Sequence, residues 1–145
     1  MNRTILALAF ASTAFLAAQA SAQTLKIGTE GAYPPFNYQD SAGNLAGFDV
    51  DIGLALCEKM QVECEVVAQD WDGIIPGLQA KKYDMIIASM FITEERKKQV
   101  SFTDPYYLAA MTHAAPKDSG IIDFTNEGMK GKAIGAQSGT TQADY

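Results

Sequence analysis

Two charged side chains in this sequence have the chemistry to bind opposite ends of a small molecule. Arg96 lies near the start of a short helix predicted after Thr93, where its planar guanidinium and the free amides of the first turn could hold a carboxylate. Glu30 follows the first predicted strand and could complement a cationic end group. Tyr33 and Trp71 offer rings that could pack against an aliphatic chain and attract a cation over their faces.

These residues also have purely structural interpretations. Arg96 stands beside Lys97 and Lys98, so it could be an ordinary surface charge. Thr140 and Thr141 could offer hydroxyls and amides to the same carboxylate, but by themselves they would only cap a helix. Glu30 could be a solvated carboxylate at the end of a strand, and the rings of Tyr33 and Trp71 could fill a hydrophobic core. For the tryptophan both interpretations stay open on pattern alone.

The elements that must position these residues alternate between strands and helices. Apolar runs predict strands at residues 25–29, 62–67 and 84–89, with two helices between them. This β-α-β-α-β order predicts an α/β fold with a parallel, doubly wound sheet and helices on both faces. Ligands of such sheets bind beyond the carboxyl ends of the strands, where loops converge. Glu30 and Trp71 lie on those loops.

The first helix should begin near Phe48. Its predicted apolar face consists of residues at helical spacing, namely Phe48, Ile52, Ala55, Leu56 and Met60. Three acidic residues of the same helix should point mainly to solvent: Asp49, Asp51 and Glu58. The second helix should be capped by Asp70 or Asp72, with Pro76 tolerated in its first turn.

The chain beyond the third strand shows further patterns. Thr93 should cap a short charged helix over residues 94–99. Residues 108–111 are predicted to be a hinge crossing between a first lobe, 23–107, and a second lobe that begins at residue 112. In that second lobe, residues 132–136 should form a strand and residues 138–141 should open a helix. Because the sequence stops one turn into that helix, we expect it to be the N-terminal part of a longer protein.

The first 22 residues have the composition of a secretory signal. Arg3 precedes an apolar run over residues 5–18, and Ala20-Ser21-Ala22 matches an A-x-A cleavage site. A membrane anchor would need about 20 apolar residues, and this run is shorter. The whole chain has 11 Lys and Arg against 17 Asp and Glu, an acidic balance that disfavours nucleic acid as a partner. We therefore expect a soluble periplasmic protein cleaved after Ala22.

The sequence holds two cysteines, Cys57 and Cys64. An exported chain meets an oxidising compartment, and the two residues should face each other across a tight helix-to-strand connection. A disulfide is therefore expected, against the alternative of two buried free thiols. A metal site is disfavoured because His113 is the only histidine, and no cofactor is expected.

Seven segments carry a resemblance to a known family. They are IGTE at 27–30, YPPF at 33–36, GFDVD at 47–51, WDGIIP at 71–76, KYD at 82–84, ITxxR at 92–96 and FTDPY at 102–106. In these segments the chain resembles the bacterial extracellular solute-binding proteins for polar amino acids, especially the lysine, arginine, ornithine, histidine and opine binders. The resemblance implies a two-lobed periplasmic-binding-protein fold. It also implies a monomeric, non-enzymatic protein that delivers its ligand to the membrane permease subunits of an ABC importer.

A ligand site is implied by the same resemblance. Its positions in this sequence are Glu30, Tyr33, Trp71, Ala88, Ser89, Arg96, Thr140 and Thr141. The cysteine pair also matches the disulfide of the basic-amino-acid binders. A cationic amino acid or opine is the expected ligand, because Tyr33 and Trp71 would hold its aliphatic stem and leave Glu30 near a cationic tip. The sequence departs from the family in two places: Ala88 and Phe91 replace residues that are often hydroxylated, and the loop at 138–141 has one extra residue.

Two other functions stay open on the sequence. The same bilobed module occurs as the ligand-sensing outer domain of membrane receptors, and a few exported relatives with this fold are lyases or dehydratases. The segment GAQSG at 135–139 is out of register with the G-x-S-x-G nucleophile motif. His113 has no partner at a spacing that suggests a catalytic triad. The enzyme alternative is therefore the weaker one.

Overall fold

A computed structural model describes residues 24–145 of the chain. The predicted secretory signal, residues 1–22, lies outside the described residues. The strands are β1 (Leu25–Thr29), β2 (Ala32–Tyr33), β3 (Asn37–Gln39), β4 (Leu45–Ala46), β5 (Cys64–Ala68) and β6 (Met85–Ile86). The helices are α1 (Phe48–Met60), α2 (Trp71–Gln79), α3 (Glu94–Lys97) and α4 (Thr141–Asp144). In the described part of the chain, no helix is long and apolar enough to cross a membrane.

A parallel sheet with strand order β5-β1-β6 forms the centre of the fold. β1 pairs with β5 along its whole length, from Leu25 opposite Cys64 to Thr29 opposite Ala68. β6 pairs with β1 over two residues only, so the third strand is shorter than the predicted 84–89. β2, β3 and β4 form a small antiparallel sheet beside it. The predicted α/β fold is confirmed.

The helices α1 and α2 cover opposite faces of the parallel sheet, as predicted. The buried cluster on the α1 side consists of Ile27, Cys57 and Ile87. The buried cluster on the α2 side consists of Ile74, Tyr83 and Ala88. The consecutive residues Ile87 and Ala88, which directly follow β6, thus point to opposite faces of the sheet, as neighbouring residues of an extended chain do.

Gly28 allows the ring of Tyr83 to pack directly on β1. A Cβ atom at Gly28 would come within 2.7 Å of ring carbons of Tyr83. The Tyr83 hydroxyl donates a hydrogen bond to the carbonyl of Ile74 in α2, which ties the helix to the end of the connection that leads into β6. This contact places the start of β6, and hence the loop that follows it.

The buried face of α1 differs from the predicted one. The buried residues are Asp49, Val50, Gly53 and Cys57. Most of the predicted apolar face is exposed, namely Phe48, Ala55, Leu56 and Met60, and Ile52 is half-buried. The reason is that α1 packs closely on the sheet at Gly53, where an added Cβ atom would come within 3.1 Å of Ile27. The helix therefore faces the sheet with the side that carries Gly53. Asp49 is therefore buried rather than solvated, whereas Asp51 and Glu58 are exposed as predicted.

Further local predictions meet mixed outcomes. Residues 132–136 form no strand, because no strand in residues 24–145 pairs with them and an unpaired strand has no ladder to stabilise it. Pro76 lies inside α2 rather than in its first turn. Asp70 occupies the N-cap of α2 without a side-chain capping bond. Thr93 caps α3 as predicted, although that helix ends at Lys97. The division into lobes at residues 108–111 stays a prediction.

Cys57 and Cys64 form the predicted disulfide, with their Cα atoms 6.1 Å apart. Cys57 is buried near the end of α1, and Cys64 begins β5. Because Cys64 lies opposite Leu25, the first residue of β1, the bond joins the amino-terminal end of the sheet. The predicted ligand loops are at the opposite end.

Candidate functional site

All eight predicted site residues line one small cleft at the carboxyl ends of the strands. The cleft has a volume of about 50 Å³. Its predicted lining residues are Glu30, Tyr33, Trp71, Ala88, Ser89, Arg96, Thr140 and Thr141, and two further residues complete it, Phe91 and Gln142. The loops after β1, β5 and β6 converge there because those strands run parallel.

Arg96 turns into this cleft and away from the other cations of its helix. Its guanidinium carbon lies 5.3 Å from the centre of the Trp71 ring, within the range of a cation–π contact. Its Nη1 donates to the carbonyl of Phe91 at 2.8 Å, and its Nη2 donates to the carbonyl of Gly139 at 3.1 Å. Burial lowers the pKa of the Arg96 guanidinium, and the nearby Asp144 carboxylate opposes that shift.

The two lysines that follow Arg96 behave as ordinary surface charges. Lys97 pairs with Glu94 at 2.9 Å, and Lys98 pairs with Glu95 at 2.7 Å, both within exposed parts of the same helix. The surface-charge interpretation therefore fits these lysines and does not fit Arg96.

The backbone amide of Arg96 is not free for a ligand. It donates to Oγ1 of Thr93 at 3.1 Å, so the helix cap has already used it. The expectation that free amides of this turn assist in anion binding is therefore wrong for this position. Anion recognition at Arg96 depends on its guanidinium.

Glu30 lies in the same cleft and is half-buried. Its Oε1 accepts a hydrogen bond from the side-chain amide of Gln137 at 2.5 Å. Two residues further along, the carbonyl of Gly139 accepts from Arg96 and also from the indole nitrogen of Trp71, the latter at 2.9 Å. The loop over residues 137–139 therefore forms hydrogen bonds with both charged side chains of the cleft, Glu30 and Arg96.

Thr140 and Thr141 begin α4 at the rim of the cleft. Thr140 is buried, and its hydroxyl donates to the carbonyl of Gln137 at 2.7 Å while accepting from the amide of Ala143 at 3.3 Å. It therefore serves as a helix cap. The hydroxyl of Thr141 contacts only the side chain of Gln142, at 3.2 Å, and is the more accessible of the two.

Three other predicted residues, Tyr33, Ala88 and Ser89, also line the cleft. Tyr33 is 46% exposed, lines the cleft, and stacks on Phe36 with 5.2 Å between ring centres. Ala88 is buried in the α2 cluster and brings no polar side-chain atom. Ser89 has a left-handed backbone with φ of 48°, and its hydroxyl donates to the carboxylate of Asp49 at 3.0 Å.

Several residues of the site were not predicted from the sequence. Gln142 lines the cleft, and Gln137 and Gly139 contact its charged groups. Asp49 supports Ser89 from below the cleft. A signal for Asp49 was present, because its spacing from Gly53 and Cys57 places it on the small-residue side of α1.

A larger cavity of about 490 Å³ adjoins the cleft near the predicted crossing. Its walls are mainly apolar, and among the described residues its charged side chains are Asp84 and Asp104. It thus lacks a cation. Of these two cavities, the smaller cleft is the one lined by both a positive and a negative side chain, so we regard it as the candidate ligand site.

Comparison with known proteins gives the family. The sequence model of one protein family, the bacterial extracellular solute-binding proteins, family 3, matches residues 25–142. The chain belongs to this family. The lysine/arginine/ornithine-binding periplasmic protein of Escherichia coli K12 is 42% identical over 148 residues, which cover 100% of this chain and 56% of that protein. The octopine-binding periplasmic protein of Rhizobium meliloti is 47% identical over 115 residues, which cover 78% of this chain and 39% of that protein.

Solved structures of this solute-binding family agree with the sequence relatives. An ancestral arginine-binding protein bound to arginine is 54% identical with a TM-score of 0.57, over 58% of this chain and 37% of that one. An ancestral amino-acid-binding protein described as a precursor of cyclohexadienyl dehydratase is 48% identical with a TM-score of 0.56, over 58% of this chain and 37% of that one. The chain thus spans about half the length of the relatives that it matches.

Proposed function

We propose that the full-length protein is the substrate-binding component of an ABC importer and captures a cationic amino acid or opine. The central observation is that one cleft is lined both by Arg96, whose guanidinium lies over the ring of Trp71, and by the carboxylate of Glu30. An α-carboxylate suits the guanidinium and a distal cation suits the carboxylate. The relatives named for lysine, arginine, ornithine and octopine support this ligand class.

The loop at residues 137–139 supports the proposed orientation of the ligand. It presents a carbonyl oxygen, from Gly139, to Arg96 and an amide nitrogen, from Gln137, to Glu30. Glu30 and Arg96 both line the same small cleft, so one ligand bound there could contact both charged groups. A ligand with a carboxylate at one end and a cationic nitrogen at the other would replace these two contacts with stronger, charge-assisted ones.

The aromatic residues would hold the part of the ligand between its two ends. Tyr33 is an exposed lining residue of the cleft, and the ring of Trp71 lies against the guanidinium of Arg96. Packing of an aliphatic stem against these rings favours arginine, lysine or ornithine over a ligand with a short side chain. A glutamate ligand would place its side-chain carboxylate near Glu30, where like charges repel.

Ligand capture would involve closure of two lobes about residues 108–111, because the candidate site takes residues from both sides of that crossing. The protein would act in the periplasm as a monomer and deliver its ligand to membrane permease subunits. Small-angle scattering of the full-length protein should then show a smaller radius of gyration with arginine. An unchanged radius would argue for a rigid site.

An enzymatic role is the second candidate, since one similar structure is a dehydratase precursor. The test that separates the two is incubation of the full-length protein with each candidate ligand, followed by mass analysis. Calorimetry with arginine, lysine, ornithine, histidine, octopine, glutamine and glutamate would then rank the ligands. The proposal predicts recovery of unchanged ligand and tightest binding of a cationic one, whereas turnover would support the enzyme.

A further inference from the structure

The cleft is supported by a carboxylate that does not line it. Asp49, in the first turn of α1, is completely buried. None of the ion pairs in residues 24–145 includes it. Instead its oxygens accept from Nδ2 of Asn37 at 2.7 Å, from Oγ of Ser89 at 3.0 Å and from the hydroxyl of Tyr106 at 2.8 Å. A buried carboxylate is costly without such donors, so these three groups and Asp49 hold one another in place.

The three donors lie on different segments of the chain, and Ser89 itself lines the cleft. Asn37 also accepts, through Oδ1, from the amide of Gly31 at 2.8 Å, and Gly31 follows Glu30 directly. Ser89 lies in the loop that follows β6. The hydroxyl of Tyr106, near the predicted crossing, also accepts from the amide of Ser89 at 2.9 Å. One carboxylate thus links the Glu30 loop, the Ser89 loop and the approach to the crossing.

The backbone of Ser89 shows why such support is needed. Its φ of 48° is a left-handed conformation that residues other than glycine adopt at a cost of about 1 to 3 kcal/mol. The bonds from its hydroxyl to Asp49 and from its amide to Tyr106 hold it there. Without them Ser89 would relax toward an ordinary conformation, and the loop that follows β6 would move with it.

We propose that Asp49 is a positioning residue that pre-organises the ligand cleft through Asn37, Ser89 and Tyr106. This inference rests on the proposed function, because it assigns the pre-organised cleft to the binding of a cationic amino acid. A charge-assisted network that is already formed before binding lowers the ordering cost that the ligand must overcome. Neutralising Asp49 should therefore weaken binding without removing any group that touches the ligand.

The test compares Asp49→Asn with Asp51→Asn in the full-length protein. Both variants remove one negative charge from the first turn of α1, but Asp51 is exposed and has no part in the network. We expect Asp49→Asn to weaken arginine binding at least tenfold by calorimetry and Asp51→Asn to stay within twofold. Hydrogen exchange by NMR should be at least tenfold faster at the amides of Gly31 and Ser89 in Asp49→Asn only.

The two measurements separate this inference from the proposed function. If the wild type binds no cationic ligand but both amides exchange faster in Asp49→Asn, the proposed function fails and the positioning role stands. Unchanged exchange would overturn the positioning role, and so would faster exchange with unchanged arginine affinity in a protein whose wild type binds arginine. If Asp49→Asn does not fold, Tyr106→Phe gives the same decision, because it deletes one donor to Asp49 and the acceptor of the Ser89 amide. It should then speed Ser89 exchange and weaken arginine binding severalfold.

Discussion

The guanidinium of Arg96 lies 5.3 Å from the centre of the Trp71 ring, so a fixed cation covers one aromatic wall of the candidate cleft. This contact orients the guanidinium toward Gly139, where a carbonyl oxygen now takes the position that we propose for a ligand carboxylate. Trp71 is the only tryptophan within these 145 residues, and its indole also donates to the carbonyl of Gly139.

Arg96→Lys should weaken arginine binding by about ten- to a hundredfold. Lysine keeps the charge but loses the planar fork that binds a carboxylate through two hydrogen bonds, and such charge-assisted bonds contribute about 1.5 to 3 kcal/mol. Calorimetric titration of the full-length protein with arginine gives the dissociation constants. Lys97→Ala is the matched control, since Lys97 pairs with Glu94 outside the cleft. Equal arginine affinities for Arg96→Lys and the wild type would contradict the proposal that Arg96 binds the ligand carboxylate.

Reduction of the disulfide should lower stability without changing ligand affinity. Cys57 and Cys64 are seven positions apart, and closure of so short a loop contributes about 2.5 kcal/mol in the chain-entropy model. Because the bond joins the end of the sheet opposite to the cleft, binding should not respond. Urea denaturation with and without reductant measures the loss.

The double variant Cys57→Ala/Cys64→Ala serves as the control for that experiment, because its stability should not respond to reductant. Mass spectrometry of the untreated wild type should show two hydrogens fewer than the reduced form. A wild type whose free energy of unfolding is insensitive to reductant would contradict the prediction.

The sequence predicts the order of the elements well, because that order depends on local patterns. The apolar runs and the spacing of Ile74 and Leu78 mark β1, α2 and the strands around it without tertiary information. The convergence of Glu30, Trp71 and Arg96 then follows from the parallel order of the strands.

The surroundings of Asp49 could not be predicted in this way. Its partners Asn37, Ser89 and Tyr106 are 12, 40 and 57 positions away along the chain, so the spacing within α1 indicates an inward side for Asp49 but not the groups that it meets there. The strand predicted at residues 132–136 fails for a related reason, since a strand forms only where another strand pairs with it.

The free energy of unfolding at alkaline pH should depend on the ionisation of the Tyr106 hydroxyl. Burial and the adjacent Asp49 carboxylate raise the pKa of Tyr106 to about 12, from an ordinary value of 10.0. A phenol whose pKa is higher in the folded state stabilises the fold fully below pH 10, and this contribution is lost as pH rises toward 12. The free energy of unfolding should therefore fall more steeply between these pH values in the wild type than in Tyr106→Phe. Parallel pH profiles would show that the hydroxyl does not contact Asp49 in solution.

Glu30 distinguishes a cationic ligand from other amino acids, because it is the acidic side chain among the residues that line the cleft. The decisive measurement is calorimetry of arginine and glutamine on the full-length wild type, Glu30→Gln and the control Asp51→Asn. A charge-assisted hydrogen bond of about 1.5 to 3 kcal/mol corresponds to about ten- to a hundredfold in affinity.

We expect Glu30→Gln to weaken arginine binding by that factor and to leave glutamine binding nearly unchanged, with Asp51→Asn like the wild type. Unchanged arginine affinity in Glu30→Gln, or a wild type that binds glutamine more tightly than arginine, would contradict the assignment of a cationic ligand.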